Sequence, residues 1–438
     1  MKFLQTGDLH LGKFFYEYPL LEDQKHVLRQ LFKELKAEYD AGAPYDALVI
    51  AGDVYDRSLP PAEAVQVFSD FLAEIQRTFA ELYVLIIPGN HDSAIRLSYA
   101  QKILEQQRIH IRTDLSRIDE PVIIKDAAFY LMPFLQPASL SSIEKAAKPE
   151  PAKPEPLKPA VPAKAEETEQ AQQNLTFDFD TADSAETDSA QTEEKNYLMS
   201  QSVLAEEALR RINLAKSKDT ANVLVAHLFA AGSTESDSER IIWGTAEQVD
   251  CSLFDGFTYT ALGHLHRCQK AGKHAHYSGS PLAYSFSEAD ADKVFLRVEI
   301  EKNAEPAVTK IPIKPLHKVA SLSGTFDEFF SSNKYDGYKD CFLEIESTED
   351  SIIENPVVLL RKKFPYLLSF KQERAFEKIS SSEIAGRRTN ISNNELSINN
   401  QFELFIKEIY GSDADFSAEK TLFDELFAKM KEENHEAE

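Results

Sequence analysis

Five short apolar runs, each ending in side chains that can bind a metal, place the strongest constraint on how this chain can fold. Lys2 to Thr6 leads into Gly7-Asp8-Leu9-His10, and Ala47 to Ala51 into Gly52-Asp53-Val54-Tyr55-Asp56. Leu82 to Ile87 leads into Pro88-Gly89-Asn90-His91-Asp92, Asn222 to Ala226 ends in His227, and Thr258 to Leu262 leads into Gly263-His264-Leu265-His266. Short aliphatic and β-branched runs bounded by turn residues predict buried strands. One His-x-His beside a strand is ordinary hairpin surface, but five strand ends that all carry ligand-type side chains are hard to explain by packing. His264 and His266, two residues apart at the carboxyl end of their strand, are expected to point the same way and so to face one site.

Helical patterns lie between the runs. Leu21 to Tyr39 places Leu28, Leu31, Phe32 and Leu35 on one face, and Pro60-Pro61 opens a helix expected to turn Ala64, Val65, Phe68, Leu72, Ile75 and Phe79 inward. This βαβαβ alternation predicts parallel strands joined by right-handed crossovers, with ligands beyond the strands' carboxyl ends. The Asp and His residues fall there. Val122 to Ile124 and Phe129 to Met132 predict a hairpin, Tyr197 to Leu214 a helix, and Lys293 to Ile300 an alternating strand. Asp340 to Glu346, Asn355 to Lys363 and Tyr366 to Lys371 predict a strand, helix and strand in a small separate α/β unit.

Composition changes abruptly at Ala147 to Ala165, which is Pro, Lys, Glu and Ala, and stays acidic and polar to about Glu194. An extended or disordered insertion at about 145–196 is expected, with only Leu175 to Phe179 hinting at a docking peptide. Ser380 to Asn400 is linker-like. Two helical stripes follow, Phe402, Phe405, Ile406 and Ile409, then Leu422, Phe423, Leu426, Phe427 and Met430. A helical pair of that size cannot bury its own phenylalanines, so it is expected to dock on something else.

With 438 residues, 43% of them hydrophobic, the chain has material for several cores, about three domains by length. The N-terminus carries no signal-peptide pattern, and no run approaches the ~20 apolar residues of a membrane span, so a cytoplasmic protein without membrane contact is expected. Cys251, Cys268 and Cys341 are too few and too scattered for a disulfide framework or a thiolate zinc site. A net charge of −24 excludes nucleic-acid coating by bulk electrostatics. Any DNA contact must use metal ions, a partner or a local basic strip, for which Arg57, Arg96, Arg240, Arg267, Lys270 and Lys273 near the ligand loops are candidates. As phosphate contacts they would position DNA without reading bases. His274 and His276 are expected on a hairpin surface, and His26, His110, His317 and His435 in solvent.

Imidazole, carboxylate and one amide, without thiolate, suit manganese, iron or zinc. Asp8, His10, Asp53, Asn90, His227, His264 and His266 are too many ligands for one ion. They fit two ions about 3.5–4 Å apart sharing a carboxylate, the arrangement used for phosphoester displacement.

The motifs GDLH, GDVYD, GNHD, a strand-ending His and GHLH, in this order, resemble the calcineurin-like metallophosphoesterase superfamily. More narrowly, His227 to Gly232, Ser236 to Arg240, Ala261 to His266, Tyr277 to Leu282 and Ser285 to Glu288 are similar to the SbcD family of bacterial nuclease subunits. The insertion departs from that pattern, as does Cys268, where the family usually has proline; neither touches a ligand. The resemblance implies an α/β fold with a β-sandwich-like core flanked by helices over 1–302, a small α/β capping domain at 303–375, a linker at 376–400 and a C-terminal helical pair at 401–438. It also implies that Asp8, His10, Asp53 and His266 hold one Mn2+, and that Asp53, Asn90, His227 and His264 hold a second. His91 would protonate the leaving oxygen, Asp92 would orient His91 or its turn, and Asp56 would support the site from behind.

The implied activity is double-strand 3'-5' exonuclease and single-strand or hairpin endonuclease, in DNA repair, recombination and replication. The implied assembly is a homodimer within a heterotetramer with the ATPase SbcC, docked through the C-terminal helices. Two other readings stand beside it. A small-substrate phosphodiesterase or phosphatase remains open, since a metal site alone does not fix a substrate. A catalytically silent scaffold is the other, against which every ligand position is filled.

Overall fold

The computed structural model describes residues 1–136, 201–240, 248–302, 304–349, 353–372 and 420–423. The insertion at 145–196, the linker at 376–400 and all of the C-terminal pair except 420–423 lie outside the described residues. One compact unit comprises Met1–Ile345 and Asn355–Phe370. The second, Glu346–Glu354 with Lys371–Glu438, is described at few positions, and its Lys420 to Phe423 are helical.

Strands β1 (Lys2–Thr6), β2 (Phe14–Phe15), β3 (Tyr18–Pro19), β4 (Ala47–Ala51), β5 (Tyr83–Ile87) and β6 (Ile109–Ile111) alternate with helices α1 (Leu21–Asp40), α2 (Ala62–Thr78), α3 (Ala94–Leu97) and α4 (Gln101–Glu105). β1, β4, β5 and β6 pair in parallel, as the alternation predicts. Strands β7 (Val122–Ile124) and β8 (Ala127–Met132) form the expected antiparallel hairpin. Helix α5 (Gln201–Ala215) leads to β9 (Ala221–His227), then come the short helix α6 (Asp237–Arg240), β10 (Tyr259–Gly263), β11 (Gln269–Lys270) and β12 (Ala275–Tyr277). β13 (Val294–Glu299) returns to lie antiparallel to β1, and β14 (Ala307–Pro312) pairs with β13.

The strands form two six-stranded sheets, ordered β14-β13-β1-β4-β5-β6 and β11-β12-β10-β9-β8-β7. Strand residues of alternate parity serve two cores. Leu4, Leu48, Ile50, Val84 and Ile86 pack under α1 and α2 with Leu28, Leu31, Phe68 and Ile75. Tyr130, Leu224, Ala226 and Leu262 pack under α5 with Leu204, Ala208 and Ile212. The remaining side chains, including Phe3, Val49, Leu85, Phe129, Val225 and Tyr259, form a core between the sheets, with the Phe3 ring edge-on to Phe129 and Tyr259. Each inner strand is thus covered on both faces, which explains the unbroken apolar runs. Full burial of one such phenylalanine stabilises the fold by roughly 1.5–3 kcal/mol. One polar residue crosses this layer: Gln5 donates to the His276 carbonyl at 2.9 Å and accepts from the Tyr259 hydroxyl at 2.8 Å.

Several expectations need correction. Val65 is 43% exposed, because the buried stripe of α2 runs through Ala64, Phe68, Phe71, Leu72 and Ile75, and position 65 lies to one side of it. The capping unit does not begin at 303: β14 is still part of the first sheet. A three-stranded sheet of β15 (Val319–Gly324), β16 (Phe342–Ser347) and β17 (Leu367–Gln372) follows, with α7 (Phe326–Phe330), α8 (Pro356–Leu360) and a core of Phe329, Leu343, Ile345, Leu360, Phe364 and Leu367. Nor is His317 solvated. Its side chain is 12% exposed, its ring packs on Tyr18, Phe342 and Tyr366, and its Nδ1 lies 2.9 Å from buried Asp23 of α1. His110 is also half-buried, stacked on Tyr83, while His26 meets the Lys314 carbonyl at 3.1 Å.

Candidate metal centre

The loops after β1, β4, β5, β9 and β10 converge at one end of the sandwich, so the side chains that end five separate runs meet. Asp8 (φ 52°), His10 (φ 44°), Asp53 (φ 46°) and His264 (φ 109°) all have left-handed backbones. Such conformations cost non-glycine residues of order 1–3 kcal/mol each and persist where surroundings over-determine them. His264 and His266 therefore do not alternate along an extended strand. They reach opposite halves of the same cluster, His264 towards Asn90 and His227, His266 towards His10.

Two glycines make the convergence possible. A Cβ on Gly89 would lie 2.1 Å from Asp53 Oδ1, and one on Gly263 would lie 1.6 Å from the Ala51 carbonyl oxygen. Any side chain at either position would push apart the loops that bear the ligands.

In one half, His10 Nε2 and His266 Nε2 are 3.1 Å apart, and Asp8 joins them within metal-binding range. In the other, Asn90 Oδ1 lies 3.0 Å from both His227 Nε2 and His264 Nδ1, and those two nitrogens are 3.3 Å apart. Asp53 sits between the halves, with Oδ2 3.4 Å from His227 Nε2 and 3.7 Å from His10 Nε2. Asp8, Asp53 and His227 form a further cluster, so Asp8 lies within reach of both halves.

These residues fit divalent cations. Asp8 Oδ2 is buried with no hydrogen-bond partner, a costly state for a carboxylate oxygen unless a cation meets it. The far nitrogen of His227 is held by the Ala51 carbonyl at 2.9 Å and that of His266 by Ser238 Oγ at 2.8 Å, which aims both Nε2 atoms into the cluster, where they become ligands on losing a proton. Imidazole nitrogens aimed inward beside carboxylates have no purpose in packing.

The charges of the metal-free cluster are strongly redistributed. Burial pushes Asp8 up to about 7, against the pull of His227 and His266. Burial opposes ionisation of Asp53 too, but the attraction of His227, a hydrogen bond from it, and the attraction of His10 hold Asp53 well below the usual carboxylate range. His227 is correspondingly raised to about 9, burial being outweighed by the Asp53 charge. Burial takes His264 down to about 3, with His227 adding repulsion. Asp53 and His227 thus each favour the other's charged form.

His91 is half-buried at the edge of the cluster, its ring edge-on to His10 with centroids 4.7 Å apart. Its backbone N–H donates to Asp53 Oδ1 at 2.9 Å, and its Nδ1 lies 2.8 Å from the Asp56 carbonyl. Asp92 organises the turn instead of touching the His91 ring: its oxygens accept from the backbone N–H groups of Val54, Tyr55 and Gly89 at 2.9–3.0 Å. Asp56 carries its carboxylate 3.6 Å from His10 Nδ1 and 2.6 Å from Lys13 Nζ.

Sequence reasoning assigned no role to several residues that back the site. Tyr284 packs on the rings of His10 and His266, and its hydroxyl donates to the Leu9 carbonyl at 2.5 Å. Glu239 accepts from the His266 backbone N–H, and Glu288 is bonded to Ser238 and Lys293. The motif stretches Ser236 to Arg240 and Ser285 to Glu288 were the signal, polar and acidic residues without a visible chemical task. Of the basic candidates, Arg57 is exposed on its loop, Lys270 is exposed on β11 and Arg96 is exposed on α3, whereas Arg267 is tied to the Ser287 carbonyl. The Arg240 side chain and residues 241–247 lie outside the described residues. Lys273 and His274 pair with Glu305, and His276 is half-buried against Tyr259. No helix among the described residues is long and apolar enough to cross a membrane.

Comparison with known proteins bears on this geometry. Residues 1–151 match the calcineurin-like phosphoesterase family. The D subunit of the nuclease SbcCD from Staphylococcus epidermidis is 30% identical over 371 residues, covering 84% of this chain and 84% of that protein. Its counterpart from Staphylococcus saprophyticus, also the D subunit of a nuclease SbcCD, is 30% identical over 375 residues, covering 85% of each.

Proposed function

Because the chain belongs to the family of SbcCD nuclease D subunits, with a calcineurin-like phosphoesterase core, we propose that it cleaves DNA with two bound divalent ions, Mn2+ first among them. It is a hydrolase acting on phosphodiester bonds. The proposed reactions are double-strand 3'-5' exonuclease and single-strand or hairpin endonuclease cleavage, serving DNA repair, recombination and replication in the cytoplasm. The observation that carries the reading is the meeting of Asp8, His10, Asp53, Asn90, His227, His264 and His266 around a buried, unpartnered carboxylate oxygen.

Asp8, His10, Asp53 and His266 would hold one ion, and Asp53, Asn90, His227 and His264 the other, with Asp53 shared. Bound divalent ions supply an activated water and neutralise phosphate charge. The chain's own part is orientation and proton transfer. The Asp56 carbonyl accepts the Nδ1 proton of His91, which leaves Nε2 free to carry a proton to the departing 3'-oxygen. Asp92 fixes the turn that carries His91, and Lys13 and Asp56 support His10. Arg57, Arg96 and Lys270 would meet DNA phosphates, with Arg267 contributing only if it leaves Ser287.

The proposed assembly pairs two copies with the ATPase SbcC in a heterotetramer. Leu59, Ile95, Tyr99 and Ile103 are 67–86% exposed just after the β4 and β5 loops. Residues 401–438 are proposed to dock on SbcC, and the unit beyond Ile313 to cap the site. The deciding experiment is cleavage of an end-labelled hairpin duplex in Mn2+ by the purified chain, with and without SbcC and ATP, and with Asp53→Ala as control. Cleavage lost in the variant is expected. Turnover of a small phosphodiester without DNA cleavage under any condition would move the assignment to a small-substrate phosphodiesterase.

A further inference from the structure

We propose that Glu288, acting through the Ser238 hydroxyl, is the residue that positions His266 for metal binding, with Lys293 as the clamp that holds Glu288 in place; this rests on the metal-centre reading proposed for the site. None of these three residues touches the cluster interior, and none lies in the five ligand motifs.

The chain of contacts is continuous. His266 Nδ1 lies 2.8 Å from Ser238 Oγ, and Ser238 Oγ donates to Glu288 Oε1 at 2.8 Å. A hydroxyl that spends its one proton on a carboxylate can only accept from the imidazole, so Nδ1 carries the proton and Nε2 presents a lone pair. That Nε2 faces His10 Nε2 at 3.1 Å, where a cation would lie. Glu288 Oε1 also sits 3.5 Å from His266 Nδ1, so the ring sees the carboxylate charge directly as well as through the serine.

Glu288 is itself over-determined. Its side chain is fully buried, its Oε1 accepts from Ser285 Oγ at 2.9 Å, and its Oε2 accepts from Lys293 Nζ at 2.6 Å. Lys293 spends its other protons on the His266 carbonyl at 3.0 Å and Ser280 Oγ at 2.9 Å. A single ammonium thus holds both the carboxylate that orients the ring and the backbone of the residue that bears it. A buried Lys–Glu pair that only filled space would be replaceable by apolar residues of similar volume. Here both partners end on one metal-ligand candidate.

Ligating histidines commonly depend on such outer partners, and losing them typically costs about 10–100-fold in metal affinity or activity. The test compares Glu288→Gln and Ser238→Ala in the full chain with the parent, by Mn2+ titration followed by electron paramagnetic resonance and by turnover of a small phosphodiester against Mn2+ concentration. The expected result is a Kd for Mn2+ raised about 10-fold or more in both variants, with kcat recovered at saturating metal to within about threefold and an unchanged melting temperature for Ser238→Ala. A role confined to stability would lower the melting temperature and leave the metal dependence where it was. Should Glu288→Gln fail to fold, half-buried Ser238 alone decides, and an unshifted Mn2+ titration for Ser238→Ala overturns the proposal. A parent chain that binds no Mn2+ would instead refute the metal-centre reading on which the proposal stands.

Discussion

At the scale of single residues, the site separates groups that hold charge from groups that move a proton. Under the proposed mechanism His91 is assigned to the second kind. It donates its backbone N–H to Asp53 and its ring N–H to the Asp56 carbonyl, and neither contact makes it a ligand. Replacing it with alanine is expected to lower the turnover of DNA by about 10²–10⁴-fold while metal content, measured by elemental analysis of the purified variant, stays at the parent level. Loss of metal from His91→Ala would contradict that assignment and make the ring a ligand. The seven ligand-type residues were legible in the sequence because each follows an apolar run at a turn. Glu288, Ser238 and Tyr284 were not: they lie outside those runs, and burial of a glutamate or a serine leaves no periodic mark. The direction of the GHLH histidines was also invisible, because the left-handed backbone of His264 breaks the alternation on which the sequence argument relied.

At the scale of elements, the sequence disclosed the parallel β1-β4-β5 unit, both long helices and the β7-β8 hairpin, since each depends on local patterning. It did not disclose which strands share a sheet. β13 returns to β1 across nearly the whole described core, and β14 follows it, so a boundary drawn at 302 cut through a hairpin whose partners are set by packing. The same limit hid the contact of α1 with the segment before β15. Asp23, buried in the first turn of α1, accepts from His317 at both its backbone N–H (3.2 Å) and Nδ1 (2.9 Å). Asp23→Ala would leave two donors without a partner, a loss of about 1–3 kcal/mol, and hydrogen exchange at His317 is expected to accelerate while that of β4 and β5 is unchanged. Unaltered exchange at His317 would show that the aromatic cage of Tyr18, Phe342 and Tyr366 holds the segment unaided.

At the scale of the whole molecule, the cluster joins two sheets that share no hydrogen-bonded strand pair among the described residues, so its protonation is a property of the assembled sandwich. His227 is raised to about 9 in the metal-free chain. Between about 6.5 and 9 the folded state holds a proton that the unfolded chain has released, so the stability it contributes is complete below the lower value and lost as pH rises through the upper one. The raised His266 acts in the same direction over this interval, and Asp8, raised to about 7, does so mainly below it. The urea midpoint of chelator-treated protein is therefore expected to fall from pH 6.5 to pH 9, while Mn2+ binding tightens over the same interval because ligation needs neutral imidazoles. A metal-free midpoint that rises across this range would be inconsistent with the Asp53–His227 pair. The placement of the cluster has a further consequence during synthesis. Its first ligand candidate is residue 8 and its last is residue 266, carried by different sheets, so a growing chain has no complete centre until both sheets have left the ribosome and closed on one another. A chain that stops before residue 266 therefore lacks part of the candidate metal centre, whatever else of it has folded.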